Sequence, residues 1–105
     1  MIEATERILA YTAGMSFEAF VADSKTYDAV LRNFTVLGEA ARNIPLDIQS
    51  RHDQLPWAQL IGFRNVVIHE YPGLDDEIIW KIVQTDVSPL RENLRFVFTD
   101  LDSEQ

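Results

Sequence analysis

Apolar positions along the chain recur at intervals of three and four, the period of a helix buried on one face. The clearest run is Tyr27, Val30, Leu31, Phe34, Leu37, Ala41 and Ile44, which predicts a long helix from about Ser24 to Asn43. Pro45 ends it, because proline disfavours helical geometry in the residue before it. Ahead of this run, Ile2, Ile8, Leu9 and Tyr11 predict a first helix over residues 2 to about 13, with Gly14 as its C-terminal stop. Ser16 offers an N-cap to a short helix carrying Phe17, Phe20 and Val21. One further turn is expected from Leu46 to about Arg51, before the loop HDQLP.

The second half follows the same rule. Pro56 suits the first position of a helix from about 56 to 70, which stops before Tyr71, Pro72 and Gly73. Asp75 or Asp76 caps the final helix, whose inner stripe is Ile79, Ile82, Val83, Val87, Leu90, Leu94, Val97 and Leu101. Pro89 interrupts that stripe, so a kink or a break is expected, with Ser88 as a new cap. No segment shows strand-like alternation between tight-turn pairs. The predicted fold class is all-α: an antiparallel four-helix up-and-down bundle with one or two short extra helices, forming a single domain over residues 1–105. A chain of this length leaves much of its surface wet, so burial against a second copy is favourable and a homodimer is expected.

Composition narrows the chemistry. The absence of cysteine excludes disulfides and thiolate metal sites and fits a reducing compartment. No apolar run approaches the roughly 20 residues that span a bilayer, and the N-terminus lacks a basic region followed by an apolar one. A soluble, cytoplasmic protein without membrane contact is therefore expected. The formal net charge of −8 repels nucleic acid at long range, so any RNA contact must rely on a local basic site. Asp75, Asp76 and Glu77 read as a helix start, and Asp100, Asp102 and Glu104 as a solvated tail. His52 lies in a polar loop and reads as a surface residue. With two histidines and no compact ligand set, no metal site is predicted, and no cofactor motif is visible because the four glycines match no phosphate-loop or dinucleotide pattern.

The segment RNVVIHEY, residues 64 to 71, departs from the usual amphipathic pattern. At about 100° per residue, Trp57, Leu60, Ile61, Arg64, Ile68 and Tyr71 share one stripe, which puts a guanidinium in an apolar face. Burying it unpaired would cost several kcal/mol, so Arg64 must reach a carboxylate, snorkel to water or line a cleft. Asn65 and His69 share a second strip beside the small residues Ala58 and Gly62, where another backbone or a ligand can approach closely. Phe63 and Val66 occupy much of the rest, so this helix is central or is covered by a partner subunit. His69 falls in the last turn, where helix-end carbonyls favour imidazolium. An arginine to neutralise phosphate oxygens and a histidine to move a proton suit phosphoryl transfer. Helix physics alone leaves plainer readings open: Arg64 as a structural ion pair with Glu39 or Asp86, His69 as a helix-end cap, and Tyr71 as core or rim.

The order Arg64, Asn65, His69 and Tyr71 resembles the R-N-x-x-x-H-x-Y motif of HEPN domains of the HepT type, ribonuclease toxins paired with a minimal nucleotidyltransferase antitoxin. The likeness extends through MSFEAF, DAVLRNFTVLGEAAR and LPWAQLIGFRNVVIHEYPGLDDEIIW, nearly the whole chain. It implies an all-α homodimer with two motif copies facing one another across a cleft, and metal-independent RNA cleavage within a type VII toxin–antitoxin system. In that reading Arg64 binds the scissile phosphate, His69 serves as acid or base for attack by the ribose 2′-hydroxyl, and Asn65 orients them. Tyr71 is then where an MntA-like minimal nucleotidyltransferase attaches AMP and blocks the toxin. The alternative is a non-catalytic dimeric module that binds nucleotide or such a partner. Relative to the family pattern the chain starts directly at its first helix, which leaves open a shortened start or a trimmed bundle. Arginine and histidine five residues apart point about 140° apart on one helix, a difficulty that a site composed from two subunits would resolve.

Overall fold

The computed structural model describes residues 1–71 and 73–103, with side chains through Thr99. Among the described residues there are seven α-helices and no strand: α1 (Ile2–Thr12), α2 (Phe17–Ala22), α3 (Ser24–Arg42), α4 (Leu46–Arg51), α5 (Trp57–Glu70), α6 (Asp76–Thr85) and α7 (Val87–Ser103). The all-α expectation holds. The stop assigned to Pro72, the stripe position Leu101 and the acidic tail of Asp100, Asp102 and Glu104 lie outside the described residues or side chains.

Helix boundaries follow local chemistry. After α1, Gly14 adopts a φ of 75°, a left-handed conformation that costs glycine little. Ser16 accepts a hydrogen bond from the Ala19 N–H at 3.1 Å and caps α2 as expected. Asp23 does the same for α3, accepting from the Thr26 N–H at 3.1 Å. Asp75 caps α6 through the Glu77 and Ile78 N–H groups, with Asp76 and Glu77 in the first turn where the helix dipole favours acids.

Three expectations are corrected. Pro56 is the N-cap of α5 and Trp57 its first helical residue. The break near Pro89 falls earlier, at Asp86, and Ser88 lies inside the first turn of α7 without capping it. The reason is that the Leu90 N–H already reaches the Asp86 carbonyl at 3.0 Å, and Pro89 sits in a first turn where its missing N–H is no loss. His52 is buried. Its carbonyl accepts from the Leu55 N–H at 3.2 Å and the Trp57 indole N–H at 3.0 Å, so the loop folds back over the start of α5. A buried indole needs an acceptor, and the nearest loop carbonyl supplies it.

Helix α3 packs along α5, and α1 lies against both α3 and α7. The pairings Asp28–Tyr71, Phe34–Phe63 and Gly38–Leu60 step in opposite senses along the chain, so α3 and α5 run antiparallel. The core joins Ile8, Val30, Leu37, Ala41, Ile79, Leu94 and Val97, with Phe20 of α2 stacked between Tyr27 and Trp80 at ring distances of 5.3 and 5.0 Å. Each such large side chain contributes about 1.5–3 kcal/mol when removed from water. The predicted stripe of α3 is buried from Val30 to Ala41, with Tyr27 and Ile44 at its rim. Among the described residues no helix is long and apolar enough to cross a membrane.

Candidate functional site

Helix α5 does not bury the stripe drawn from the wheel. Trp57 and Val67 are its buried residues, with Leu60, Ile61 and Phe63 packed at the core edge. Ile68 and Tyr71 are exposed, at 45% and 52%. The buried face is turned toward α3 because Phe63 meets Phe34 edge-on at 4.9 Å and Val67 continues that line one turn later.

Arg64 sits against Gly38, where α5 packs tightly on α3. A β-carbon at Gly38 would overlap the Arg64 β-carbon and lie 2.7 Å from the Leu60 carbonyl oxygen. Only hydrogen at that position allows the crossing. Arg64 is four-fifths covered, its side chain 20% exposed. Its Nη2 pairs with Glu39 Oε2 at 3.0 Å, and its Nη1 donates to Asn65 Oδ1 at 2.9 Å. The expected carboxylate partner is therefore Glu39. The Nε–H is buried without an acceptor among the described residues.

Guanidinium carries five N–H donors. Nε is buried, Nη1 gives one N–H to Asn65, and Nη2 stands in an ion pair with Glu39, so at least two N–H groups remain on the terminal nitrogens. Two is the number that a bidentate contact to phosphate oxygens requires. An ion pair of this kind anchors the side chain without exhausting it.

Asn65 and His69 lie on the adjoining strip with Ala58 and Gly62, and all four are exposed. Among the described residues His69 has no hydrogen-bond or ionic partner, so neither Arg64 nor Tyr71 is tied to it. The exposed apolar side chains Val66 and Ile68 flank this strip, at 39% and 45% exposure. Apolar and small residues beside a histidine make a surface suited to contact with another molecule. The structure thus brings Arg64 and Asn65 together and leaves His69 apart from them.

Tyr71 follows the last residue of α5, and its phenol donates to Asp28 Oδ1 at 3.2 Å. That bond to a carboxylate favours the neutral phenol and raises the Tyr71 pKa. Beside it, Tyr27 donates to Asp76, and burial, reinforced by that hydrogen bond, raises its pKa further. The end of α5 is thereby tied to α3 through Asp28, and α3 to α6 through Asp76, while the Tyr71 ring stays accessible.

A cavity of about 540 Å³ opens between α5 and the junction of α6 with α7, lined by Phe34, Pro56, Leu60, Phe63, Ile82 and Leu90 among others. It includes none of the four motif residues.

Neither Gly38 nor Asp28 was identified from the motif. Gly38 did leave a signal, because a glycine inside a strongly helical run costs about 1 kcal/mol relative to alanine and so points to close approach. Asp28 left none, since an acid on a solvated helix face is ordinary.

The family described as "Ribonuclease HepT-like" matches residues 1–97, and the chain belongs to the HepT-like family. A protein of Thermococcus cleftensis described as "Probable ribonuclease HepT" is 39% identical over 85% of this chain and 81% of its own length. Two proteins of Methanocaldococcus jannaschii, each described as "Putative RNase", are 35% identical over 99% of this chain and 86% of theirs, and 30% identical over 92% and 89%. No solved structure gives a significant match.

Proposed function

We propose that this protein is an endoribonuclease toxin whose active form is a homodimer with a site composed from two copies of α5. The observation that carries the proposal is the state of Arg64. It is anchored by Glu39 and Asn65, yet keeps at least two N–H groups on its terminal nitrogens for a phosphate. Membership of the HepT-like family and the ribonuclease descriptions of its relatives support the substrate class. The ribose 2′-oxygen attacks the adjacent phosphorus and the 5′-oxygen leaves, giving a 2′,3′-cyclic phosphate and a free 5′-hydroxyl. Arg64 stabilises the charge that develops on the non-bridging oxygens, and Asn65 orients it. His69 carries the proton, taking it from the 2′-hydroxyl or giving it to the leaving oxygen. This chemistry needs no metal.

The exposed strip of Ala58, Gly62, Asn65 and His69 supports dimerisation through α5, because small residues allow a second helix to approach. Such an approach would set His69 of one copy near Arg64 of the other and answer their divergence on a single helix.

Tyr71 is the proposed point of control. Its phenol oxygen would bond to the α-phosphorus of ATP with loss of pyrophosphate, catalysed by an MntA-like minimal nucleotidyltransferase antitoxin. Exposure of Tyr71 supports access by that enzyme. The product carries a bulky anion on the strip that holds Arg64, where it would compete with RNA phosphate.

The test is RNA cleavage by purified protein in the presence of a chelator. Cleavage is expected from the native chain and its loss from His69→Ala; equal cleavage by that variant would remove His69 from the mechanism. Dimerisation and nucleotidyltransferase binding without any cleavage would establish the non-catalytic module, with the Arg64–Glu39 pair as a structural contact.

A further inference from the structure

Besides Asn65 of the motif, Arg64 meets two residues of α3, Gly38 and Glu39. We infer that Glu39 is a positioning residue of the phosphate site, with Gly38 as the opening that lets it act; the inference rests on the ribonuclease reading of Arg64.

Four observations lead to it. The α3–α5 packing is tight at Gly38, where any larger side chain would meet the Arg64 stem and the Leu60 carbonyl. The stem of Arg64 is therefore pinned, and its remaining freedom is the direction of the guanidinium. Glu39, the next residue on α3, forms an ion pair with Nη2 at 3.0 Å, while Asn65 accepts an N–H of Nη1 at 2.9 Å. These two contacts hold the group from opposite terminal nitrogens. Nε is buried, so a ligand meets the guanidinium through the terminal donors left over. Glu39 itself is half exposed, at 47%, which makes the pair a weak source of stability in water-screened surroundings. Its larger effect is orientation.

A carboxylate beside an arginine could instead occupy the phosphate position and compete with substrate. The donor count argues against that, because Glu39 leaves a bidentate pair unoccupied. Orientation and competition predict opposite kinetics. If Glu39 orients, its removal lowers kcat and leaves KM nearly unchanged, since a free guanidinium still attracts phosphate but meets the transition state in the wrong plane. If Glu39 competes, its removal lowers KM.

The experiment measures kcat and KM for RNA cleavage by the native chain and by Glu39→Ala, Glu39→Asp and Glu39→Gln, with thermal unfolding of each as a control for folding. For Glu39→Ala the expected fall in kcat is on the order of 10²-fold, with KM within about twofold. Glu39→Asp keeps the charge but withdraws the oxygen by one methylene, and should fall as far as alanine. Glu39→Gln keeps an acceptor oxygen at full reach and should recover kcat to within about tenfold of native. Native kcat in the alanine variant overturns the inference, as does a fall in KM, or an aspartate variant that outperforms glutamine. Absence of cleavage by the native chain overturns the ribonuclease reading itself and this inference with it. Native cleavage matched by Glu39→Ala overturns this inference alone.

Discussion

Gly38 and Arg64 meet where α3 packs on α5, with no space between them for a β-carbon. The contact joins stability to function, because the same approach that packs the two helices also pins the stem of the candidate phosphate-binding side chain. Gly38→Ala forces the helices apart at a cost of about 1–3 kcal/mol, as overpacking does elsewhere. Alanine returns about 1 kcal/mol in helix propensity, so a net loss of up to about 2 kcal/mol is expected. Urea unfolding should show a lower midpoint with an unchanged slope. A midpoint equal to the native one would mean that α5 moves aside freely.

Gly62 provides the opposite case on α5. Among the described residues nothing lies within 4 Å of a β-carbon built there, and the position is exposed. Within one chain Gly62→Ala should therefore stabilise by about 0.5–1 kcal/mol. If a second copy packs on this strip, the added methyl intrudes and the dimer weakens. Sedimentation at several concentrations should show a shift toward monomer in a chain that is individually more stable. An unchanged dimer would place the interface elsewhere on the surface.

The helices of this protein were legible because their apolar spacing and their caps agree: Ser16, Gly14 and Asp75 act as the residue types suggest. The motif on α5 was legible as a residue pattern and less so as geometry. Wheel projection placed Ile68 on the buried stripe, but the contact of Phe63 with Phe34 turns the helix so that Val67 is covered and Ile68 is not. Which neighbour sets that rotation is a tertiary fact, and periodicity within one helix does not contain it. His52 was misplaced for a similar reason, since a polar loop gives no sign that Trp57 will draw it inward. Glu39 was anticipated as a partner of Arg64, whereas the closeness permitted by Gly38 needed both helices in view.

The two tyrosines at the α3–α5 end give stability a dependence on alkaline pH. Tyr27 is raised above the ordinary value of 10.0 by burial and by its bond to Asp76, and Tyr71 by its bond to Asp28. A phenol raised in the folded state loses its proton first in the unfolded chain. Its stabilising effect is thus complete below pH 10, the unfolded value, and declines as pH rises above it toward the folded value. Tyr27→Phe should flatten the decline relative to the native chain, because Tyr27 has the larger shift. Asp28→Asn should move the phenolate absorbance transition of Tyr71 downward. A native profile that stays flat into strong alkali would contradict both assignments.

A site composed from two copies makes a prediction that a single-chain site does not. Arg64→Ala and His69→Ala each remove one group from both sites of a homodimer, so each variant alone should be inactive. When the two are co-expressed, the mixed dimer has one site lacking both groups and one site with Arg64 and His69 intact, contributed by different chains. Random pairing makes about half of the dimers mixed and half of their sites whole, so recovery of about a quarter of native cleavage is expected. If Arg64 and His69 act within the same chain, every site in the mixture lacks one of them and no activity returns. The measurement therefore separates the two arrangements even though both use the same residues. It also tests why His69 stands exposed and apart from Arg64: in the composite arrangement, that gap is where the second helix supplies its half of the chemistry.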